Sequence, residues 1–163
     1  MIPLPNYVCL FNIIFRYKSL AITIMPTGSC LCGEIKISYE GNPSFRAICY
    51  CHDDRKMAMT QVYQVPKENF KVVQGEPKTY TKVSDHGNEI SNHFCGTCGT
   101  TLFRTGGNEH VLDKVGLRAG VLDDQSLLDT PPGIEVYVEK RPPWIKQIEG
   151  AMQMSGKYEV LSQ

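Results

Sequence analysis

The segment Phe94-Cys95-Gly96-Thr97-Cys98-Gly99-Thr100 constrains this chain more than any other. Two thiols spaced Cys-x-x-Cys supply only half of the tetrahedral sulfur shell that a structural zinc ion requires. Cys30 and Cys32 are the expected other half. If Cys30-Leu31-Cys32 is extended, both sulfurs point to one side, because successive residues of a strand alternate faces. Gly96 and Gly99 offer the positive φ that a metal knuckle uses to turn thiolates and amides toward one ion. An ion held by Cys30, Cys32, Cys95 and Cys98 ties the beginning of the chain to its middle, so folding is expected to be linked to metal.

Cysteine usage favours metal over disulfides. The chain has 7 cysteines; six form three close pairs and Cys9 is left over, a pattern of metal ligands rather than of a disulfide framework. Cys-x-Cys is also too short to bridge easily within one strand. A reducing compartment, the cytoplasm, follows. At 163 residues one domain with a real core is expected. Lysine plus arginine equals aspartate plus glutamate at 17 each, so no global field recruits nucleic acid or an anionic membrane.

Residues 1–25 read as an extension outside a domain of residues 26–163. The apolar run Tyr7–Phe15 is followed by Arg16 and Lys18, where a secretory signal has its charges in front. It is also too short and interrupted to span a membrane. An upstream extension with the working start at Met25 is the favoured reading, beside a weak membrane or organelle address and an added strand.

From Thr27 the sequence is punctuated and β-like. Ile35, Ile37 and Tyr39 alternate with polar residues as a half-buried strand. Phe45–Cys51 reads as a second strand with Cys49 and Cys51 on one face, and Gln61–Val65 as a third. Phe70–Val73 and Thr79–Val83 flank Gly75-Glu76-Pro77 and look like a hairpin. Glu89–Phe94 feeds the knuckle and Thr101–Arg104 leaves it. Val111–Val115, Leu117–Val121 and Ile134–Val138 are further expected strands, with one aspartate-capped helical turn in 123–128. Arg141-Pro142-Pro143-Trp144 is expected to run extended, with Trp144 as a lid on the core in preference to a substrate-stacking role. His93 is close enough to the knuckle to support a ligand, but a satisfied or exposed histidine is the favoured reading of His86, His93 and His110. The class is mainly β.

Chemistry is expected at Cys49-Tyr50-Cys51-His52-Asp53-Asp54-Arg55-Lys56. Cys49, Cys51 and a third ligand a few residues on would leave a fourth position open, the mark of catalytic rather than structural zinc. Asp54 can take the third place with the same charge as a thiolate, and its Zn–O bond of about 2.0–2.2 Å is shorter than the 2.3 Å of Zn–S. His52 and Asp53 are fallback ligands. The bland alternative is an empty site with two free thiols. Arg55 and Lys56 are the residues expected to dock an anionic group of the substrate, if they are not simply solvated.

Gly28-Ser29-Cys30-Leu31-Cys32-Gly33, Cys49 with Cys51, the knuckle, Gly120-Val121-Leu122-Asp123 and residues 135–144 occur in an order that resembles the glutathione-dependent formaldehyde-activating enzyme family, which includes centromere protein V. The likeness covers about residues 27–157, and the tail is most similar to the fungal branch. It implies an Mss4-like fold of antiparallel β-sheets around a structural zinc, held by Cys30, Cys32, Cys95 and Cys98. It also implies a second zinc at Cys49 and Cys51, with Asp54 where the family has a cysteine. The implied activity is that of a carbon–sulfur lyase that joins formaldehyde to glutathione, so the expected partner is a small molecule, a glutathione adduct among the candidates. A secondary-metabolism lyase or isomerase on a carbonyl compound, with Asp53 or Asp54 as base, is the first alternative. A non-catalytic zinc-stabilised binding module is the second, but such roles are expected to come with a basic, disordered extension, which is absent.

Overall fold

The computed structural model describes residues 25–156 and 159–161. The expectations for residues 1–24 and Cys9 lie outside the described residues. Among the described residues eleven short strands form two sheets joined by turns, several of them 3-10, and there is no α-helix. Among the described residues no helix is long and apolar enough to cross a membrane.

The smaller sheet orders β1 (Thr27–Ser29), β2 (Lys36–Tyr39) and β5 (Phe70–Gln74). The larger runs β11 (Met152–Met154), β10 (Ile134–Val136), β3 (Phe45–Cys49), β4 (Thr60–Pro66), β9 (Lys114–Arg118), β8 (Thr101–Gly106), β7 (Glu89–Phe94) and β6 (Lys78–Val83). Pairing is antiparallel except at one end, where β10 runs parallel to both β3 and β11. The main core lies where one face of the large sheet meets the small one. Tyr63, Val65, Phe103, Val115 and Leu117 pack there with Ile35, Ile37 and Tyr39. A second cluster of Ala47, Ile48, Tyr50, Val136 and Tyr137 closes the β3–β10 end.

Local sequence predicted extension and turns well, and partners less well. The Gly75-Glu76-Pro77 turn does not make a hairpin. β5 pairs with β2 in the small sheet, whereas β6 pairs with β7 at the far edge of the large one. Two β-prone runs around a turn specify a reversal, but pairing goes to whichever edge lies beside each strand after folding. Gly75 sits at φ 74°, and a Cβ there would come within 2.5 Å of the Glu34 carbonyl oxygen, so the crossing needs glycine.

Other boundaries shift for similar reasons. Gly116 does not separate two strands; it lies inside β9, opposite Gln64 and Arg104. Strand β3 ends at Cys49, so Cys51 lies beyond it, and Val138 begins a 3-10 turn rather than extending β10. The turn over Gln125–Leu128 forms as expected, with Asp124 accepting from the Ser126 amide. Residues 141–144 bend instead of running extended: the Ile145 amide donates to the Pro142 carbonyl. Trp144 is 73% exposed and is no core lid. Ile145 and Ile148 occupy the space against the second cluster in its place.

Gly106 marks where β8 ends against β7. It sits at φ 80°, and a Cβ would approach the Glu89 carbonyl oxygen to 2.4 Å. Gly106→Ala is expected to cost roughly 1–3 kcal/mol through strain alone, read as a lowered melting temperature with unchanged metal content.

Candidate metal centres and the cavity beside the second

Cys30 and Cys32 leave β1, and Cys95 and Cys98 leave β7, so the two strand ends bring four sulfurs within 4.8 Å of one another. Cys32 Sγ lies 3.5 Å from Cys30 Sγ and 3.6 Å from Cys95 Sγ. A tetrahedral zinc with Zn–S bonds of about 2.3 Å needs sulfurs about 3.8 Å apart, so the set is close to its bound dimensions. The Ile35 amide donates to Cys30 Sγ at 3.3 Å and the Cys98 amide to Cys95 Sγ at 3.5 Å. Thr100, through its hydroxyl and then its amide, holds the Cys98 thiol down to about 5. Cys32 is pushed up to about 12: the Glu34 amide lowers it, but Cys30, burial and the other sulfurs outweigh that. Four thiols this close lose all their protons only when a cation neutralises them. His93 bonds Thr79 and Thr105 and stacks on Phe103 at 4.3 Å, so it is a satisfied histidine and not a partner of the knuckle.

The second cluster is Cys49, Cys51 and Asp54, whose donor atoms also lie within 4.8 Å of one another. A 3-10 turn over Asp54–Met57 follows the end of β3 and folds the carboxylate back inward, where it is 2% exposed. Its two oxygens face different neighbours. Oδ1 accepts from Arg118 Nη1 at 2.8 Å and lies 3.4 Å from Arg104 Nη2, while Oδ2 lies 3.2 Å from Cys51 Sγ. Burial alone would push the Asp54 carboxyl up, but the guanidinium groups of Arg118 and Arg104 hold it below its ordinary value. Cys49 is pushed well up by Cys51, by burial and by the charge of Asp54; Cys51 is lowered, chiefly by its bond with Cys49.

All three donors open on a cavity of about 290 Å³ over the face of the large sheet opposite the main core. Strand alternation builds its floor: Phe45, Ala47 and Cys49 on β3, Val62 and Gln64 on β4, Gly116 and Arg118 on β9, Arg104 on β8. The turn between β6 and β7 supplies Ser84, Asp85, His86 and Asn88. Two ion pairs hold that turn's hairpin across the cavity, Lys82 to Asp53 at 2.7 Å and Asp85 to Lys140 at 3.5 Å. Tyr137 faces the cavity from a left-handed backbone at φ 62°, uncommon for a non-glycine residue and a form of strain that clusters at functional sites.

Of the residues singled out in the sequence, Cys49, Cys51, His52, Asp53, Asp54 and His86 line this cavity. Arg55 and Lys56 are exposed and do not. The arginines that do are Arg104 and Arg118, which sequence reasoning passed over. Arg118 left one trace: it is a charged residue closing the apolar run Val115-Gly116-Leu117.

A Rhodobacter sphaeroides protein of known crystal structure shares the fold at a TM-score of 0.52 and 20% identity, over 65% of this chain and 97% of its own. No curated protein matches the chain. The family model described as "Glutathione-dependent formaldehyde-activating enzyme" matches residues 25–140, a span containing both cysteine clusters and most of the cavity wall. The chain therefore belongs to the glutathione-dependent formaldehyde-activating enzyme family, with an Mss4-like, mainly β fold built around a cysteine cluster fit for zinc.

Proposed function

We propose that Cys49, Cys51 and Asp54 form a second, open zinc site beside the structural one, and that the protein is a carbon–sulfur lyase acting on a thiol and a carbonyl. One observation carries this reading. A buried carboxylate has one oxygen fixed by two arginines and the other turned toward two thiols on a cavity wall. A simple ion pair has no need of thiols there, whereas a metal with one open position uses such a set. When bound, zinc supplies charge stabilisation for a substrate sulfur or carbonyl oxygen.

The chain's own groups do the rest. Arg118 and Arg104 orient Asp54. The hairpin pinned by Lys82 and Lys140 narrows the way in for water. Addition of a thiol to a carbonyl forms one carbon–sulfur bond, and the thiol proton ends on the former carbonyl oxygen, so no oxidant or further reactant is consumed. Asp53, fixed by Lys82, and Asp54, fixed by the arginines, are both committed acceptors, which disfavours either as the free general base of an isomerase. Arg55 and Lys56 take no part in this reading.

Elemental mass spectrometry is the test. The intact protein is expected to hold two zinc ions per chain, and Asp54→Asn one. Asn keeps the shape while removing the charge, so the four-cysteine ion remains as an internal reference for folding. One ion in both proteins would sink the second site.

A further inference from the structure

Resting on the open-site reading, we infer that the cavity floor at Gly116, flanked by Gln64 and Arg118, is a subsite for an amide group carried on the body of the substrate. Gly116 has no local reason to be glycine. It lies inside β9 and outside the left-handed backbone region. A Cβ there would meet Gln64 Nε2 and Val62 Cγ1 at 3.4 Å, an ordinary contact. Glycine within a strand weakens it, and often marks a place where a ligand comes close to the backbone.

Strand register sets the groups around this bare spot. Gly116 stands opposite Gln64 of β4 on one side and Arg104 of β8 on the other. Arg118, two residues on along the same face of β9, is the arginine that holds Asp54. The spot therefore lies about 7 Å of strand from the residue that fixes the second cluster. Among the described residues four buried side-chain atoms lack a hydrogen-bond partner, and two of them, Gln64 Oε1 and Arg118 Nε, belong to this floor. One is an acceptor and the other a donor. Unmet groups of this kind are costly until something pairs with them. A carboxylate serves only the donor, and an ammonium only the acceptor. A hydroxyl offers both from a single atom, whereas a secondary amide presents its N–H and its carbonyl on opposite edges, as two residues flanking a gap require. Its flat shape suits a floor without a side chain. Carboxylates elsewhere on the same substrate are compatible with this subsite, since His52, His86, Asn88 and Asn108 also line the cavity.

The experiment uses the full chain reconstituted with cobalt(II), whose sulfur-to-metal absorption reports a thiolate that joins the centre. Two thiols are titrated: N-acetylcysteamine, and 2-mercaptoethyl acetate, in which an ester oxygen replaces the amide N–H. The amide is expected to bind about tenfold more tightly, the effect of leaving one buried acceptor unmet, and Gln64→Leu is expected to erase that preference. Gly116→Ala is expected to keep two cobalt ions and the wild-type melting temperature while weakening N-acetylcysteamine by about tenfold, because the methyl group occupies the floor. Equal affinity for the two thiols, a preference that survives Gln64→Leu, or unchanged binding in Gly116→Ala overturns the inference and leaves the open site standing. Only one cobalt ion per wild-type chain removes the site itself, and the inference with it.

Discussion

Cys95→Ser is expected to abolish the folded state. Cys95 is fully buried and belongs to the main core, so its sulfur serves two purposes: it packs with the residues around Ile35 and Leu102, and it completes the four-cysteine cluster. Structural zinc binding is worth about 10–16 kcal/mol in small zinc-dependent units, against a total stability of about 5–15 kcal/mol for an ordinary domain. Losing one of four ligands therefore removes an amount comparable to the whole. The cluster also joins the end of β1 to the end of β7, 65 residues later in the case of Cys30 and Cys95, so nothing local replaces it. Near-ultraviolet circular dichroism and zinc content would be measured together. A zinc-free variant with native dichroism and an unchanged melting temperature would show that the fold does not depend on the ion. Stripping the wild-type protein with a strong chelator is expected to give the same loss.

Glu135→Ala is the second large effect, with an expected cost of about 3–5 kcal/mol, the range for breaking a buried charged pair by removing one partner. Glu135 is fully buried on β10. Its Oε1 accepts from the Tyr50 hydroxyl at 2.7 Å. Its Oε2 accepts from the Ile148 amide at 2.9 Å, from Gln153 Nε2 at 2.8 Å and from Arg141 Nη1 at 3.2 Å. Alanine would leave the Tyr50 hydroxyl and the Ile148 amide without this acceptor, while Gln153 and Arg141 keep only their bonds to the Ala151 carbonyl and to each other.

The same network sets a pH dependence. Burial would push the Glu135 carboxyl up, but Tyr50, Gln153, the Ile148 amide and Arg141 together hold it below its ordinary value of 4.5. A carboxyl lowered on folding stabilises the native state above its unfolded pKa, and that stability is lost as pH falls through the folded value. Wild-type stability is therefore expected to decline below about pH 4.5, and Glu135→Ala to flatten that decline. An identical acid limb in the two proteins, followed by urea titration at a series of pH values, would assign the dependence to other groups. Because Tyr50 stands between Cys49 and Cys51, the variant is also expected to loosen the second cluster before the first.

What could be read in the sequence were features fixed by neighbours along the chain. Alternation identified β2 and, up to Val136, β10, since side-chain direction in a strand has period two whatever lies beyond it. The Cys95–Cys98 knuckle and its joining to Cys30 and Cys32 were legible for a related reason: a tetrahedral sulfur shell needs four ligands, and short spacings present them in pairs. Cys49, Cys51 and Asp54 came to view as a cluster because three of them within six residues can converge without help from elsewhere.

Tertiary structure decided whatever depends on which strand lies beside which. It sent β5 and β6 to different sheets although one turn joins them, because each strand's hydrogen bonds go to the edge available after folding. It turned Arg104 and Arg118, far apart in sequence from Asp54, onto the one face where they could fix its carboxylate, and it left Arg55 and Lys56, the nearest cations in sequence, in solvent. It filled the space over β10 with Ile145 and Ile148 and left Trp144 outside. The chemistry-bearing residues were thus set by local spacing, but the charge around them and the wall of the cavity were set by strand pairing, which no short stretch of sequence encodes.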